Sequence, residues 1–124
     1  MTAPGHGRRV LLVDDAPEVR MLLQVLLEQG GFVVTEAIDG PHGVASAIEQ
    51  LPDVVVLDVQ LPGLDGPDVL RALRADPATA QLPVVFLTGS AASADDALLA
   101  LDARGVLHKP FSAATVADDL AALL

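Results

Sequence analysis

Residues 52–66 read Pro-Asp-Val-Val-Val-Leu-Asp-Val-Gln-Leu-Pro-Gly-Leu-Asp-Gly, and the four apolar residues Val54 to Leu57 within them decide the fold. They follow one another without polar alternation, as a strand does when both of its faces are covered. Asp53 to Asp58 is therefore expected as a central strand of a parallel sheet, with the carboxylate of Asp58 at its tip. Pro83 to Thr88 has the same unbroken character and supplies a second central strand.

Around these two strands, short Val- and Leu-rich runs alternate with longer segments of helical period, the pattern of a parallel sheet covered by helices. The first strand is expected at Arg9 to Asp14. The helix after it has Pro17 near its start and a buried stripe of Val19, Leu22, Leu23, Leu26 and Leu27, with Arg20, Gln24 and Glu28 on the opposite side. Gly30 and Gly31 stop it. A strand at Phe32 to Ala37 and a helix at Gly43 to Leu51 follow. Pro67 opens a third helix to about Ala75, and a weaker fourth spans about Ser93 to Ala103. A short strand, Val106 to His108, precedes Lys109-Pro110. The last helix is expected from Ser112 as N-cap to the chain end, with Phe111 and Val116 as a hydrophobic staple.

Five β/α units and the right-handed crossover rule predict an α/β, flavodoxin-like, doubly wound (βα)5 sandwich with strand order 2-1-3-4-5. A chain of 124 residues with 52% hydrophobic content suits one packed domain. Residues 1–7, with two glycines, a proline and no apolar period, read as a flexible arm before a domain at 8–124. No apolar run approaches bilayer length, and the first nine residues are too short for a signal peptide, so a soluble cytoplasmic domain is expected. The absence of cysteine excludes disulfides and thiolate metal sites. A formal net charge of −10 opposes direct nucleic-acid binding and suits a cation or a basic partner surface.

Ligands of such sheets bind beyond the carboxyl ends of the strands. There the chain places Asp14 and Asp15 after the first strand, Asp58 after the third, Thr88 after the fourth and Lys109 after the fifth. Three converging carboxylates repel one another unless a cation intervenes, and oxygen ligands open to solvent suit magnesium or manganese. The backbone carbonyl of Gln60 could add a ligand. Histidine and thiolate ligands are missing from this edge, so zinc fits poorly. A carboxylate can attack phosphorus and form an acyl phosphate if the transferred oxygens are neutralised; Lys109 as a point charge and Thr88 as a hydroxyl donor suit that task. Each residue alone has an ordinary explanation as a cap, turn or surface group, and their joint order carries the inference. Gly63 and Gly66 fit backbone turns, since no phosphate-binding glycine pattern is present. His6, His42 and His108 form no ligand set, and strand alternation turns His108 away from Lys109.

Four stretches, Val-Leu-Leu-Val-Asp-Asp at 10–15, the segment 52–66, Val-Val-Phe-Leu-Thr-Gly at 84–89 and His-Lys-Pro-Phe at 108–111, together resemble the receiver domains of two-component signalling. The likeness covers about Arg8 to Leu124. It implies that Asp58 is phosphorylated, that Asp14 and Asp15 are metal-binding acids, that Thr88 is the signalling hydroxyl and that Lys109 contacts the phosphoryl group. It also implies a cis Lys109-Pro110 peptide, a histidine kinase or histidine phosphotransfer protein as donor, and a downstream protein or fused output domain as target. Apolar residues on the last two helices would support homodimer pairing. Many relatives carry Tyr or Phe three residues before the lysine, at the switch position; Val106 stands there instead, so no ring can rotate. Output then depends on the loop after Thr88 and the fourth helix alone, or is coupled to another surface. Two other functions share these residues. An aspartyl-phosphate phosphohydrolase usually needs a second acid two residues after its nucleophile, where this chain has Gln60, and an unphosphorylated scaffold would not need the full acid, threonine and lysine set.

Overall fold

The computed structural model describes residues 3–89 and 95–124. Five parallel strands, β1 (Arg9–Val13), β2 (Val33–Ala37), β3 (Val54–Asp58), β4 (Val84–Thr88) and β5 (Gly105–His108), form one sheet in the order β2-β1-β3-β4-β5. The five helices are α1 (Pro17–Gln29), α2 (Gly40–Gln50), α3 (Gly66–Ala75), α4 (Asp95–Leu99) and α5 (Val116–Ala122). The doubly wound order expected from the sequence is the one observed.

Strand alternation explains why β1 and β3 carry no polar face. Val10 and Leu12 point into a core with Leu23 and Leu27 of α1 and Val116 and Leu120 of α5. Leu11 and Val13 point the other way, toward Ala47 of α2 and Val69, Leu70 and Leu73 of α3. The register pairs Val13 with Leu57 and Leu57 with Phe86, which brings the tips of β1, β3 and β4 to one level. The carboxyl ends of the sheet thus form a single platform.

Helix boundaries depart from the sequence reading where caps decide them. α2 starts three residues earlier than expected because the Asp39 carboxylate accepts the His42 N–H, fixing the first turn with Pro41 inside it. α3 begins alike, Asp65 accepting from the Asp68 N–H. α5 starts at Val116 rather than Ser112: the Ser112 carbonyl accepts from Thr115 and Val116 in a turn, and Thr115 occupies the N-cap with its hydroxyl donating to the Asp119 carboxylate instead of capping a backbone N–H. It stops at Ala122, short of the chain end. Phe111 and Val116 do pack into the same core. The expected α4 start at Ser93 lies outside the described residues, and its end comes at Leu99 rather than Ala103.

The buried face of α1 is also rotated from expectation. Leu23 and Leu27 are fully buried and Leu26 partly so, but Leu22 is 50% exposed, beside Met21 and Val25, which are exposed too. Arg20, assigned to the solvent side, turns inward instead: it donates to the Asp14 carbonyl and pairs with Glu36 on β2. A second arginine, Arg9, closes the end of α2 by donating to the carbonyls of Gln50 and Leu51. Residues 3–8 form a compact turn against the α1–β2 connection, with Gly5 N–H on the Gly30 carbonyl at 2.8 Å and Gly7 N–H on that of Gly31 at 2.8 Å. Arg8 closes this turn on the Pro4 and Gly5 carbonyls and lies over the Phe32 ring.

Candidate functional site

The platform at the strand tips bears an open cleft of about 980 Å³ lined by Asp14, Asp15, Asp58, Gln60, Thr88 and Lys109, among others. Every residue singled out there from the sequence reaches it except Val106. That residue is half-buried on β5, against the core on the α2/α3 side of the sheet.

Asp14 follows β1 directly and is fully buried, while Asp15 is exposed and Asp58, the last residue of β3, is 7% exposed. One carboxylate oxygen from each of the three lies within 4.8 Å of the others. Like charges at that spacing repel strongly in a partly buried site. Among the described residues one cation compensates them: Lys109 Nζ donates to Asp58 Oδ2 at 2.9 Å and lies 3.1 Å from Asp14 Oδ2. The second contact is an ion pair, and among the described residues it is the only one made by this buried Asp14 oxygen. Asp14 Oδ1 is committed to the Ala16 N–H at 2.8 Å, which replaces a side-chain cap at the start of α1. A buried anionic oxygen met only by an ammonium, beside two more carboxylates, is the donor set of a hard cation with several water ligands, so the residues present fit magnesium.

Burial pushes the Asp58 carboxyl above its ordinary range, and the Asp14 charge adds to this. Lys109 and the Gln60 N–H, which donates to Asp58 Oδ1 at 3.0 Å, oppose the shift without cancelling it. Lys109 is raised as well: burial alone would lower it, but Asp58 and Asp14 together hold its proton. Asp58 is therefore a destabilised anion whose two oxygens already have one donor each, and Lys109 is a fixed ammonium.

The remaining placements follow from β4 and β5. Thr88 is 3% exposed at the tip of β4, and its carbonyl accepts the Lys109 N–H at 2.8 Å, tying the two tips together. The Lys109-Pro110 peptide is cis. His108 lines a separate cleft of about 420 Å³ between β5 and α5, on the other side from Lys109. Gln60 lines the site cleft. Arg20 was missed as a neighbour of the site: its Nη1 holds the Asp14 carbonyl at 2.7 Å, and no spacing in the sequence distinguishes it from a surface arginine.

A strand-tip acid trio facing a lysine on a 2-1-3-4-5 sheet defines a receiver-type phosphoacceptor platform. The response regulator receiver domain family matches residues 10–121, and the chain belongs to that family. It is a receiver domain of two-component response regulators, a signalling domain. TcrX of Mycobacterium tuberculosis, a probable transcriptional regulatory protein, is 42% identical over 124 residues, covering 98% of this chain and 52% of TcrX. The chain thus spans about half the length of such relatives. Protein PilH of Pseudomonas aeruginosa is 36% identical over 94% of this chain and 97% of its own length. Among solved structures, the receiver domain of the sensor histidine kinase PA1611 of P. aeruginosa, with a magnesium ion coordinated in its active-site cleft, superposes with a TM-score of 0.83 at 33% identity, covering 92% of this chain and 94% of that one. No helix among the described residues is long and apolar enough to cross a membrane.

Proposed function

We propose that Asp58 is the phosphoacceptor, that Asp14, Asp15, Asp58 and the Gln60 carbonyl hold a magnesium or manganese ion, and that Lys109 and Thr88 serve the transferred group. The observation that carries this reading is the burial of Asp58 within 4.8 Å of two further carboxylates while its Oδ2 is held by Lys109 at 2.9 Å. An Asp58 oxygen forms a bond to phosphorus as the bond between phosphorus and the donor imidazole nitrogen breaks. The nitrogen keeps the electron pair and Asp58 becomes a mixed anhydride. A cation held by these residues would supply positive charge against the phosphoryl oxygens. Lys109, protonated and anchored, follows the negative charge from Asp58 onto the incoming group, and the Thr88 hydroxyl donates to another of its oxygens.

A phosphohistidine protein is the donor class, and the target is a protein or a fused output domain that distinguishes the two states. The setting is cytoplasmic. Val106 marks the switch position without a ring to turn, and Thr88 is the hydroxyl whose engagement is read. Gln60 stands where an aspartyl-phosphate phosphohydrolase usually carries its second acid, which disfavours that reading. The test is intact-mass spectrometry after exposure to a small acyl phosphate with magnesium. One phosphoryl mass should appear on the wild type, vanish with a chelator and be absent from Asp58→Asn. Addition at another residue, or turnover of a phosphate ester, overturns the assignment.

A further inference from the structure

Two helices beside the site open with the same tetrad of an apolar residue, Asp, Gly and Pro: Ile38-Asp39-Gly40-Pro41 before α2 and Leu64-Asp65-Gly66-Pro67 before α3. In each the aspartate caps the helix by accepting from the N–H three residues on. That cap does not require glycine, and neither Gly40 nor Gly66 has a positive φ. What both share is crowding. A Cβ on Gly40 would fall on the Leu64 carbonyl. A Cβ on Gly66 would stand 2.6 Å from the Asp58 carbonyl oxygen, 2.8 Å from Val59 Cα and 3.1 Å from the Phe86 ring.

The first two of those atoms are backbone of the peptide that leaves the acceptor. The Gly66 N–H also donates to the Val59 carbonyl at 2.9 Å, so the start of α3 both presses on this peptide and ties it. The next residue is Gln60, whose N–H holds Asp58 Oδ1. Building on the proposed function, we infer that Gly66 is a positioning residue for the cation. Its missing side chain lets α3 clamp the Asp58–Val59 peptide, and the clamp fixes the Asp58 carboxylate and the Gln60 carbonyl at the spacing magnesium demands. Gly40 seats α2 on Leu64 and braces the far end of the same loop.

Magnesium takes near-ideal octahedral geometry at short distances, whereas calcium accepts longer and more variable ligation. A displacement of the Asp58–Val59 peptide therefore penalises magnesium selectively. A Cβ 2.6 Å from the Asp58 carbonyl oxygen lies well inside the 3.4 Å of ordinary contact, and backbone has to move to relieve it. Disturbing the groups that orient a metal's ligands costs roughly ten- to a hundredfold in affinity.

Magnesium and calcium affinities of the wild type, Gly66→Ala and Gly63→Ala, followed by amide NMR titration, test this. Gly63 lies in the same loop at φ 78 with nothing near its Cβ position, so an alanine there strains the loop without pushing on the acceptor. Gly66→Ala should weaken magnesium by roughly ten- to a hundredfold and calcium far less, while Gly63→Ala leaves their ratio unchanged. Unchanged magnesium binding in Gly66→Ala overturns the inference, as does a parallel loss of both ions or the same selectivity change in Gly63→Ala. Hydrogen exchange on the wild type gives a measurement that does not depend on a variant folding. Magnesium should slow exchange of the Gly66 amide, because coupling between the clamp and the ion is reciprocal, and an unaffected rate counts against the clamp. A wild type that binds no magnesium would refute the proposed function itself, an outcome distinct from all of these.

Discussion

The two edges of the sheet handle charge in opposite ways. At the amino edge two arginines are matched by acceptors on several sides. Arg9 donates from its side chain to the Gln50 and Leu51 carbonyls, and its backbone N–H is held by Asp53. Arg74 binds Asp102 through Nε and Nη2 and the Thr79 and Leu82 carbonyls through Nη1, fixing the α3–β4 and α4–β5 connections together. At the carboxyl edge three acids stand within 4.8 Å of one another, two of them on one lysine, and among the described residues the ammonium is the only partner of a buried Asp14 oxygen. The amino edge is electrostatically complete without a ligand. The carboxyl edge is not, and that incompleteness is what a cation and a phosphoryl group can relieve.

The sharpest way to break this contrast is Asp14→Asn. It removes a cation ligand from the deficient edge, and magnesium affinity should fall by two orders of magnitude or so, while the midpoint of metal-free thermal unfolding holds or rises; a large drop in that midpoint would make Asp14 structural. The converse at the amino edge is Arg74→Met. It leaves two carbonyls and Asp102 without their cationic donor and should cost about 2 kcal/mol in denaturant unfolding, with magnesium affinity within twofold of the wild type.

The third test uses pH. Because the folded Asp58 carboxyl is raised above 3.8, its contribution to stability is full below that value and is lost as pH climbs through the higher folded value. In calorimetry without metal, Asp58→Asn should therefore gain stability relative to the wild type as pH is raised from about 4 toward neutrality. A constant difference across that range would mean that Lys109 fully compensates the charge. The smallest effect is expected from Asp39→Ala, which removes the α2 cap, should lower the thermal midpoint only slightly and should not alter cation binding, since Asp39 is no part of the acid trio.

The carboxyl edge was far more legible in the sequence than the amino edge. Asp14, Asp15, Asp58, Thr88 and Lys109 each end a Val- and Leu-rich run, and strand order alone carries them to one cleft. Arg20, Arg9 and Arg74 have no such marker. Their partners are mostly backbone carbonyls, which every sequence supplies everywhere, so only coordinates reveal which ones are reached. Leu22 was misassigned because Leu22, Leu23, Leu26 and Leu27 satisfy helical spacing for two adjacent faces, and the inward turn of Arg20 selects between them. The Gly5 and Gly7 contacts escaped notice because they are made by backbone groups, which composition does not reveal. Gly66 looked like a turn residue for a related reason: the crowding that excludes a side chain comes from Asp58 and Val59, seven or eight positions away.

Lys109 is the only lysine in the chain, and it stands between Asp14 and Asp58. Protein grown with isotope-labelled lysine would therefore give a single side-chain ammonium resonance, seated in the cleft. That one signal would report ion loading, acyl phosphate formation and its decay in real time, in a molecule that carries no tryptophan or tyrosine to serve as an optical probe.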